Sequence, residues 1–391
     1  MTTYDWIVVG GGIAGSALGY ELAKAGCSVL LIEQSAEPAN GTRYSYGGIA
    51  YWSGNTELLR QVCQDGIDLH RSLSAELEAD TQFRELDLLM AIAPDADGVA
   101  IAQTYKDCLV VPTLITAETA CEMEPLLSRD AIGAALHVRH GHVNPEQTAD
   151  AYRQALTRLG GTVQIARVQG WVMAGNRVQG VVTSDGTLTA ANVVVCAGAW
   201  SRNLLKAAGL VVPIYYTQAE LVETLPLELR MRSLVMLAQL KRFAMEAVAG
   251  SAAAQPRWDE PLQELAPPIL DEGAVQFQDG RMRIGQISRI LTDPDAVADL
   301  ASSEAAIRHG VGHFLPALQD VPGTWRSCAI AFSGDRLPLI GAVPGAAGLH
   351  VFSGFSNPFA LLPPLARRYA QHLTGATDDL VIQCSPTRFQ P

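Results

Sequence analysis

No two cysteines of this chain are spaced as a CxxC pair, although seven cysteines are present. They stand far apart, at positions 27, 63, 108, 121, 196, 328 and 384. Structural zinc sites need closely spaced ligands, and disulfide-rich secreted proteins use an even number of cysteines. The odd number and the wide spacing argue against structural zinc, favour a reducing compartment and predict a cytoplasmic protein.

Positive charge is also scarce, with 28 lysines and arginines against 40 aspartates and glutamates and a net charge of −12. Nucleic acids and anionic membranes select basic patches, so we expect neither as a partner. No uninterrupted apolar run is long enough to cross a bilayer, and no signal peptide precedes the first predicted strand near Tyr4. We therefore expect no membrane span.

A chain of 391 residues is too long to fold around one simple core. Its hydrophobic content of 48% is high enough to form more than one core. Chains of this size divide into two domains or carry an inserted lobe. The sequence therefore predicts either two domains or one large α/β unit with an insertion.

Residues 6–34, WIVVGGGIAGSALGYELAKAGCSVLLIEQ, read as strand, glycine turn, helix and strand. Gly10, Gly12 and Gly15 form GxGxxG, which allows a tight turn, a close approach to a pyrophosphate and close packing of helix on strand. Glu33 ends the second strand, where a carboxylate can accept both ribose hydroxyls of an adenosine. This unit predicts an adenine dinucleotide, either NAD or FAD.

The next stretch, AEPANGTRYSYGGIAYWSGN, has no helical or alternating period and predicts a long ordered loop. Thr42, Arg43 and Ser45 offer donors to phosphate oxygens, and Gly47 and Gly48 allow main chain to lie against a flat ring. Long loops in compact domains are often functional. We expect this loop to contact the cofactor.

Regular elements follow. The apolar spacing between Thr56 and Leu77 predicts an amphipathic helix. Asn144 as N-cap and Pro145 at the first position predict a second helix, which Gly160 and Gly161 end. Further on, three strands joined by polar turns precede a last strand, Val193 to Cys196, which runs into Ala197-Gly198-Ala199-Trp200 and returns the chain to the nucleotide sheet.

Near the C-terminus, apolar strands at 337–340 and 349–352 precede a helix. Asn357 is its predicted N-cap and Pro358 its first residue. Because Pro363 and Pro364 cannot donate helical hydrogen bonds, a start at Pro364 is the alternative.

Three separated segments thus come together: GxGxxG with Glu33, the strand returning to Ala197-Gly198-Ala199-Trp200, and DRLPLIG with SGFSN before the final helix. Together they resemble the D-amino-acid oxidase (DAO) superfamily of FAD enzymes, which includes glycine oxidase and monomeric sarcosine oxidase. The resemblance covers nearly the whole chain and is weakest between Tyr215 and Pro322. It makes FAD the expected dinucleotide.

The resemblance implies a Rossmann-like α/β domain, with a parallel sheet around the GxGxxG unit, and a second α+β substrate domain with a mixed or antiparallel sheet. The FAD domain would comprise residues 1–82, 142–213 and 322–391, and the substrate domain residues 83–141 and 214–321. The implied FAD-contacting residues are Gly10, Gly12, Ile13, Ala14, Gly15, Glu33, Gln34, Arg43, Ser45, Gly47, Gly48, Val168, Ala197, Gly198, Trp200, Cys328, Asp335, Gly354, Phe355, Ser356 and Asn357.

A flavin accepts a hydride at N5, so the protein needs to position the donor carbon and to stabilise charge near N1 and C2=O. The N-terminus of the final helix, around residues 353–359 and including Asn357, would supply a positive dipole end at that edge. Cys328 stands seven positions before Asp335, which resembles the spacing of the flavin-linked cysteine in monomeric sarcosine oxidases. Covalent and non-covalent FAD both stay open.

Arg283, in RMRIG, occupies the place where sarcosine oxidases have a lysine facing the flavin. A cation there could assist electron transfer to dioxygen by stabilising superoxide. The carboxylate-binding arginines of glycine oxidase, however, have no counterpart in AIAFSGD or GFSNPF. Either Arg283, Arg289 or Arg336 replaces them, or an aromatic pocket of Tyr51, Trp52, Tyr215 and Tyr216 takes a bulkier or less charged amine.

His137, His140 and His142 have metal-like spacing, but a flavoenzyme needs no metal, so we interpret them as structural or surface residues. The expected activity is FAD-dependent oxidation of a carbon–nitrogen bond to an imine, with dioxygen or an electron carrier as acceptor. The alternatives are a 2-hydroxy acid or alcohol dehydrogenase that reduces a quinone or carrier, and a weakly catalytic flavin-binding subunit. The oligomeric state is not predicted.

Overall fold

The computed structural model describes residues 4–239, 241–296 and 299–389. Its strands, in chain order, are β1 Tyr4–Val9, β2 Val29–Glu33, β3 Gly48–Ile49, β4 Arg84–Ile92, β5 Thr113–Thr116, β6 Ala134–His142, β7 Thr162–Ile165, β8 Val168–Ala174, β9 Arg177–Thr183, β10 Gly186–Val195, β11 Ile214–Thr224, β12 Leu234–Leu237, β13 Glu264–Gln276, β14 Met282–Leu291, β15 Gly323–Ser333, β16 Leu339–Ala342 and β17 Leu349–Ser353. Its α-helices are α1 Ile13–Lys24, α2 Glu57–Glu76, α3 Gly98–Gln103, α4 Ala117–Met123, α5 Pro145–Arg158, α6 Ser201–Ala207, α7 Lys241–Ala249, α8 Leu300–Phe314, α9 Pro358–Leu373 and α10 Asp379–Gln383.

The first sheet has the strand order β16-β17-β10-β1-β2-β7, and β8 and β9 extend it from β10. Its central strands β17, β10, β1, β2 and β7 are parallel. Such strands are covered on both faces, which is why β2 reads as the uninterrupted apolar run VLLI before its terminal Glu33. The predicted α/β class with a parallel sheet around the glycine turn is confirmed.

One predicted strand is longer than expected. The strand placed at residues 193–196 is the end of β10, which runs unbroken from Gly186 to Val195. Its first half pairs antiparallel with β9, and its second half pairs parallel with β1. The apolar run therefore marked only the half of the strand that is buried in the parallel sheet.

The second sheet has the order β15-β11-β14-β13-β12-β4-β6-β3, with β5 beside β6. Its pairs are antiparallel except for the parallel pair of β12 and β4. The predicted second part with a mixed sheet is thus confirmed. β15, at residues 323–333, pairs with β11 in this sheet, whereas the predicted division assigned it to the FAD domain. The division itself stays a prediction, and its limits at residues 1 and 391 lie outside the described residues.

Two predicted helices are confirmed, the second with its predicted cap. α2 begins after Thr56, whose hydroxyl accepts a hydrogen bond from the Leu59 N–H at 3.3 Å. α5 begins at Pro145, and the Asn144 side chain accepts from two N–H groups of its first turn at 3.1 and 3.2 Å. In the described part of the chain, no helix is long and apolar enough to cross a membrane.

α9 begins at Pro358, so the alternative start at Pro364 is wrong. The Pro363–Pro364 pair has no N–H groups, which leaves the carbonyls of Phe359 and Ala360 without their usual helical donors. α2 packs against both carbonyls and supplies a donor to the first. The His70 Nε2 lies 2.7 Å from the Phe359 oxygen, and Gly66 is so close to the Ala360 oxygen that a Cβ there would approach it to 2.0 Å. A neighbouring helix therefore makes the continuous helix possible.

Replacing His70 tests this support. We expect His70→Leu to lower the free energy of unfolding by about 1–3 kcal/mol, because a buried carbonyl loses its donor, and His70→Gln to lower it less. Burial lowers the pKa of His70 from 6.5 to about 4. Between these values the unfolded chain binds the proton and the folded chain does not, so this contribution falls as the pH drops from 6.5 towards 4.

Denaturant unfolding at a series of pH values measures both effects. The part of the pH dependence due to His70 should disappear in both variants and persist in His309→Gln, which changes an exposed histidine. Unchanged stability in His70→Leu would contradict the proposed support of α9.

Candidate flavin site

A cavity of about 690 Å³ lies at the carboxyl ends of the parallel strands. The residues that end or follow β1, β2, β10 and β17 contribute to its wall, as do residues of β15 and α9. In open α/β sheets, ligands bind at this edge. The predicted cofactor residues that line the cavity are Gly10, Gly12, Ile13, Ala14, Glu33, Gln34, Ser45, Val168, Ala197, Gly198, Trp200, Cys328, Gly354 and Phe355.

The glycine turn is close-packed. A Cβ on Gly10, whose φ is +108°, would lie 2.6 Å from the Cys196 oxygen, and a Cβ on Gly15 would lie 1.8 Å from the Gly10 oxygen. Gly15 therefore does not line the cavity but allows α1 to pack against the strand ends. Gly12 faces a more open space, where the nearest atom to a Cβ is the Thr42 hydroxyl at 3.1 Å. The first and third glycines thus shape the turn, and the second leaves room at its surface.

Glu33 holds the turn from the neighbouring strand. Its Oε2 accepts a hydrogen bond from the Gly11 N–H at 2.7 Å, and its Oε1 accepts from the Ser35 N–H at 3.2 Å. An ionised carboxylate has about four lone-pair sites, so acceptor capacity is left for the cavity. This geometry agrees with the chemistry expected of a ribose-binding acid.

The loop after β2 folds back over the start of α1. The Thr42 hydroxyl accepts from the Ile13 N–H at 3.0 Å, and the Asn40 Oδ1 accepts from the N–H groups of Thr42 and Arg43, each at 3.0 Å. Arg43 itself points elsewhere, since its guanidinium pairs with Glu146 at 2.7 Å and with a second glutamate at 2.8 Å. It lines a second, smaller cavity of about 410 Å³ instead.

The other predicted loop residues pack beneath the wall of the cavity. Gly47 has a φ of +71° and sits against the Val143 carbonyl, where a Cβ would come within 2.1 Å. Gly48 belongs to β3 and faces His140, whose Nε2 would lie 2.7 Å from a Cβ. Neither glycine lines the cavity, so their contact with the flavin stays a prediction.

At the far end, Ser45 and Cys328 line the cavity together with Gly354, Phe355 and the first turn of α9. The N-terminus of a helix of 16 residues carries a positive partial charge. Asn357 precedes this helix, but its side chain does not cap it. Its Nδ2 donates instead to the Ala50 oxygen at 3.0 Å and the Ser53 hydroxyl at 3.3 Å.

Two further predicted cofactor residues, Asp335 and Ser356, are absent from the cavity wall. Asp335 forms an ion pair with Arg388 at 2.7 Å and accepts from the Leu337 N–H at 3.2 Å, which ties the C-terminal segment to β16. The hydroxyl of Ser356 is buried and has no hydrogen-bond partner in the described part of the chain. Neither lines the cavity.

The residues predicted to contact substrate do not line the cavity either. Tyr215 is buried and donates its hydroxyl proton to the Gln255 Oε1 at 2.6 Å, and Tyr51 is half-buried in a 3-10 helix, Tyr51–Ser53. Arg283 is 1% exposed and lies behind Ser45, to whose carbonyl its Nη1 donates. Their catalytic roles stay predictions.

Sequence reasoning missed parts of the wall that come from the second sheet. Ser327 and Gln218 line the cavity from β15 and β11. The Gln218 Nε2 donates to the Ala296 oxygen at 2.7 Å, which brings the loop of Asp295 to the cavity. A buried glutamine inside the otherwise apolar start of β11 was the available signal, but pairing between distant strands could not be read from it.

The three histidines all lie on β6 but do not form one cluster. The His137 Nε2 lies 2.8 Å from the Asp87 carboxylate, while His140 and His142 are buried. The Trp52 Nε1 donates to the His140 Nδ1 at 3.1 Å. In the described ranges, no group of three or more possible ligands has metal-binding geometry.

A parallel sheet with a glycine turn, whose cavity continues to a second, mixed sheet, defines the class of two-sheet proteins that bind a dinucleotide cofactor. The chain belongs to the DAO family, described as FAD dependent oxidoreductase, which matches residues 5–372. It is therefore an FAD-dependent enzyme. The shape of the glycine turn, the acid at the end of β2 and a cavity wall that includes both Val168 and Cys328 fit this cofactor.

The relatives match this chain over different lengths. The chain is 28% identical over 214 residues to 4-methylaminobutanoate oxidase (formaldehyde-forming) of Paenarthrobacter nicotinovorans, of which it covers 26%. It is 25% identical over 382 residues to glycine oxidase of Pseudomonas aeruginosa, with 94% of both chains covered. The crystal structure of glycine oxidase from Geobacillus kaustophilus superposes over 100% of both chains, with a TM-score of 0.78 and 21% identity.

The packing of α1 gives a matched test. We expect Gly15→Ala to lower stability by about 3 kcal/mol or more and to lower FAD content, because the methyl group would meet a carbonyl oxygen of the turn. Gly19→Ala, on the same helix, would place its Cβ 3.4 Å from the nearest atom and should change stability by no more than about 1 kcal/mol. Thermal unfolding measures the stability of each variant, and the flavin absorbance of the purified protein measures its FAD content. Equal stability and equal FAD content in the two variants would refute the packing role of Gly15.

Proposed function

We propose that this enzyme oxidises the carbon–nitrogen bond of an amine or amino-acid-like substrate to an imine. The observation that carries the proposal is the sequence similarity to glycine oxidase of Pseudomonas aeruginosa, which extends over 94% of both chains. The partial match to 4-methylaminobutanoate oxidase supports the same bond type.

FAD, when bound, would supply the hydride acceptor for the substrate carbon. The amine nitrogen releases a proton to water, and water then hydrolyses the imine to a carbonyl compound and an amine or ammonia. The contribution of this chain is positioning and electrostatics. The turn through Gly354 and the first turn of α9 form one wall at the Cys328 end of the cavity, where a positive helix end favours developing negative charge.

For the electron acceptor we propose dioxygen, on the basis of the buried Arg283. Its Nη2 lies 3.2 Å from the Glu223 carboxylate, and its Nη1 reaches the main chain at Ser45 on the cavity wall. A fixed guanidinium close to the flavin end would stabilise superoxide. Slow reoxidation of the reduced enzyme in air would favour an electron carrier instead. The seven free cysteines support the proposal of a reducing, cytoplasmic location.

Anaerobic mixing with candidate substrates tests the activity. We expect at least one member of a panel containing glycine, N-methylglycine and 4-methylaminobutanoate to bleach the flavin absorbance, with formation of a carbonyl product. Bleaching by 2-hydroxy acids but by no amine would support the dehydrogenase alternative. If dithionite bleaches the flavin but no compound of the panel does, the proposal of amine oxidation is wrong. A weakly catalytic flavin-binding role would then be favoured.

Cys328 gives a separate test of how FAD is held. It lines the cavity and is 7% exposed, and burial raises the pKa of its thiol to about 12. Attachment to a flavin requires the thiolate, which is scarce at such a pKa. We therefore expect the yellow colour to be released when the protein is precipitated with acid. Retention of colour by wild-type protein, and its loss in Cys328→Ser, would establish covalent attachment.

A further inference from the structure

Arg153 contacts the glycine turn from outside the cofactor cavity, whose wall does not include it. It belongs to α5, and its Nη1 donates a hydrogen bond to the Gly11 carbonyl. The Ser16 hydroxyl donates to the same carbonyl at 3.0 Å, and Gly11 is buried. One main-chain carbonyl of the turn therefore accepts two hydrogen bonds, of which one comes from a charged donor.

The carbonyl of Gly11 and the N–H of Gly12 belong to one peptide group. In a trans peptide these two groups point in opposite directions. Of the two cavities, Gly11 and Arg153 line only the smaller one, of about 410 Å³, whereas Gly12 lines both. The Gly12 N–H therefore points away from Arg153, towards the side on which Gly12 lines the cofactor cavity.

The start of α1 offers this N–H to a ligand. Gly12 is the N-cap of α1, and the N–H groups at the start of a helix have no acceptor within the helix itself. The N–H of the next residue, Ile13, donates to the Thr42 hydroxyl at 3.0 Å. Gly12 and Ala14, which both line the cofactor cavity, are thus the donors that this helix start presents to a phosphate group.

The side chains of the cofactor cavity supply little positive charge for the pyrophosphate of FAD. Among the described residues of its wall, the ionisable acids are Glu33 and Asp295, and the basic residue is Arg167, which is exposed beside the predicted adenine contact. Arg43, which was predicted to donate to phosphate, pairs with glutamates instead. The pyrophosphate therefore depends on the backbone dipoles of the glycine turn and on charges that act through them.

The counter-ion of Arg153 does not cancel its effect on the turn. The Arg153 Nη2 pairs with Asp150, whose side chain is 52% exposed, whereas the Arg153 side chain is 24% exposed. Water and salt weaken an ion pair at the surface. The hydrogen bond to the buried Gly11 carbonyl is shielded from water, and a charged donor in such a place polarises the peptide group that accepts from it.

We propose that Arg153 is a positioning residue for FAD. Without touching the cofactor, it fixes and polarises the peptide between Gly11 and Gly12, so that the Gly12 N–H donates more strongly to the pyrophosphate. Glu33 holds the other side of Gly11 by accepting from its N–H at 2.7 Å, and the turn is thus held from two directions. This role concerns the retention of FAD and does not depend on which substrate the enzyme oxidises.

The dissociation constant of FAD tests the inference without turnover. The holoenzyme is diluted, and free flavin is separated from bound flavin by ultrafiltration; if FAD proves to be covalently attached, the whole series is made in Cys328→Ser. We expect Arg153→Gln to raise the constant about fivefold or more, and Arg153→Lys, which keeps the charge, to lie closer to wild type. Arg158→Gln is the matched control, because Arg158 also donates from α5 to a main-chain carbonyl, that of Leu77. It should change the constant by no more than about twofold.

Displacement of FAD by ADP and by adenosine separates this role from simple packing. ADP loses the same contact as FAD, so it should displace FAD from Arg153→Gln and from wild type at equal concentrations. Adenosine has no phosphate and should displace FAD from Arg153→Gln at a lower concentration than from wild type. Equal FAD dissociation constants in Arg153→Gln and Arg158→Gln, or in Arg153→Gln and Arg153→Lys, would overturn the role even if amines bleach the flavin. Conversely, a constant that depends on the charge at Arg153, without bleaching by any amine, would leave this role standing and remove the amine oxidation.

Discussion

The contact between the Gly15 Cα and the carbonyl of Gly10 is the constraint on which the rest of the cofactor site depends. It allows α1 to start directly behind the strand ends, and the same closeness recurs between Gly10 and the carbonyl of Cys196 on the neighbouring strand. Any side chain at these positions would push helix and strands apart and would move the acid of β2 away from the turn that it holds. One packing contact thus coordinates three strands and a helix.

A second constraint acts at the opposite end of the cavity. α9 presents its positive N-terminus there, yet two prolines in its second turn remove the hydrogen bonds that normally hold a first turn. α2 supplies the missing donor through His70 and allows close backbone approach at Gly66. The geometry of the flavin end therefore depends on a helix that does not itself line the cavity.

Between these two ends, the second sheet contributes both wall and charge. β15 brings Cys328 to the cavity and pairs with β11 along its whole length, so the sequence position of this strand gives little indication of the sheet to which it belongs. Several arginines of this sheet and of the nearby loop share a few carboxylates, which explains why Arg43 pairs with glutamates instead of facing the cavity.

The sequence by itself determined the glycine turn with its acid, the α/β class, the helices α2 and α5 with the cap of α5, and 14 of the residues that line the cofactor cavity. These features are local: they depend on backbone freedom at glycine, on capping groups within a turn and on continuous apolar runs. Only the tertiary structure showed that Arg43 and Asp335 form ion pairs instead of facing the cavity. It also showed that β15 belongs to the second sheet and that α9 continues through two prolines. The packing of α5 brought Arg153 to the carbonyl of Gly11 from a distant part of the chain. Partners chosen across strands and helices depend on register and packing, which residue spacing does not encode.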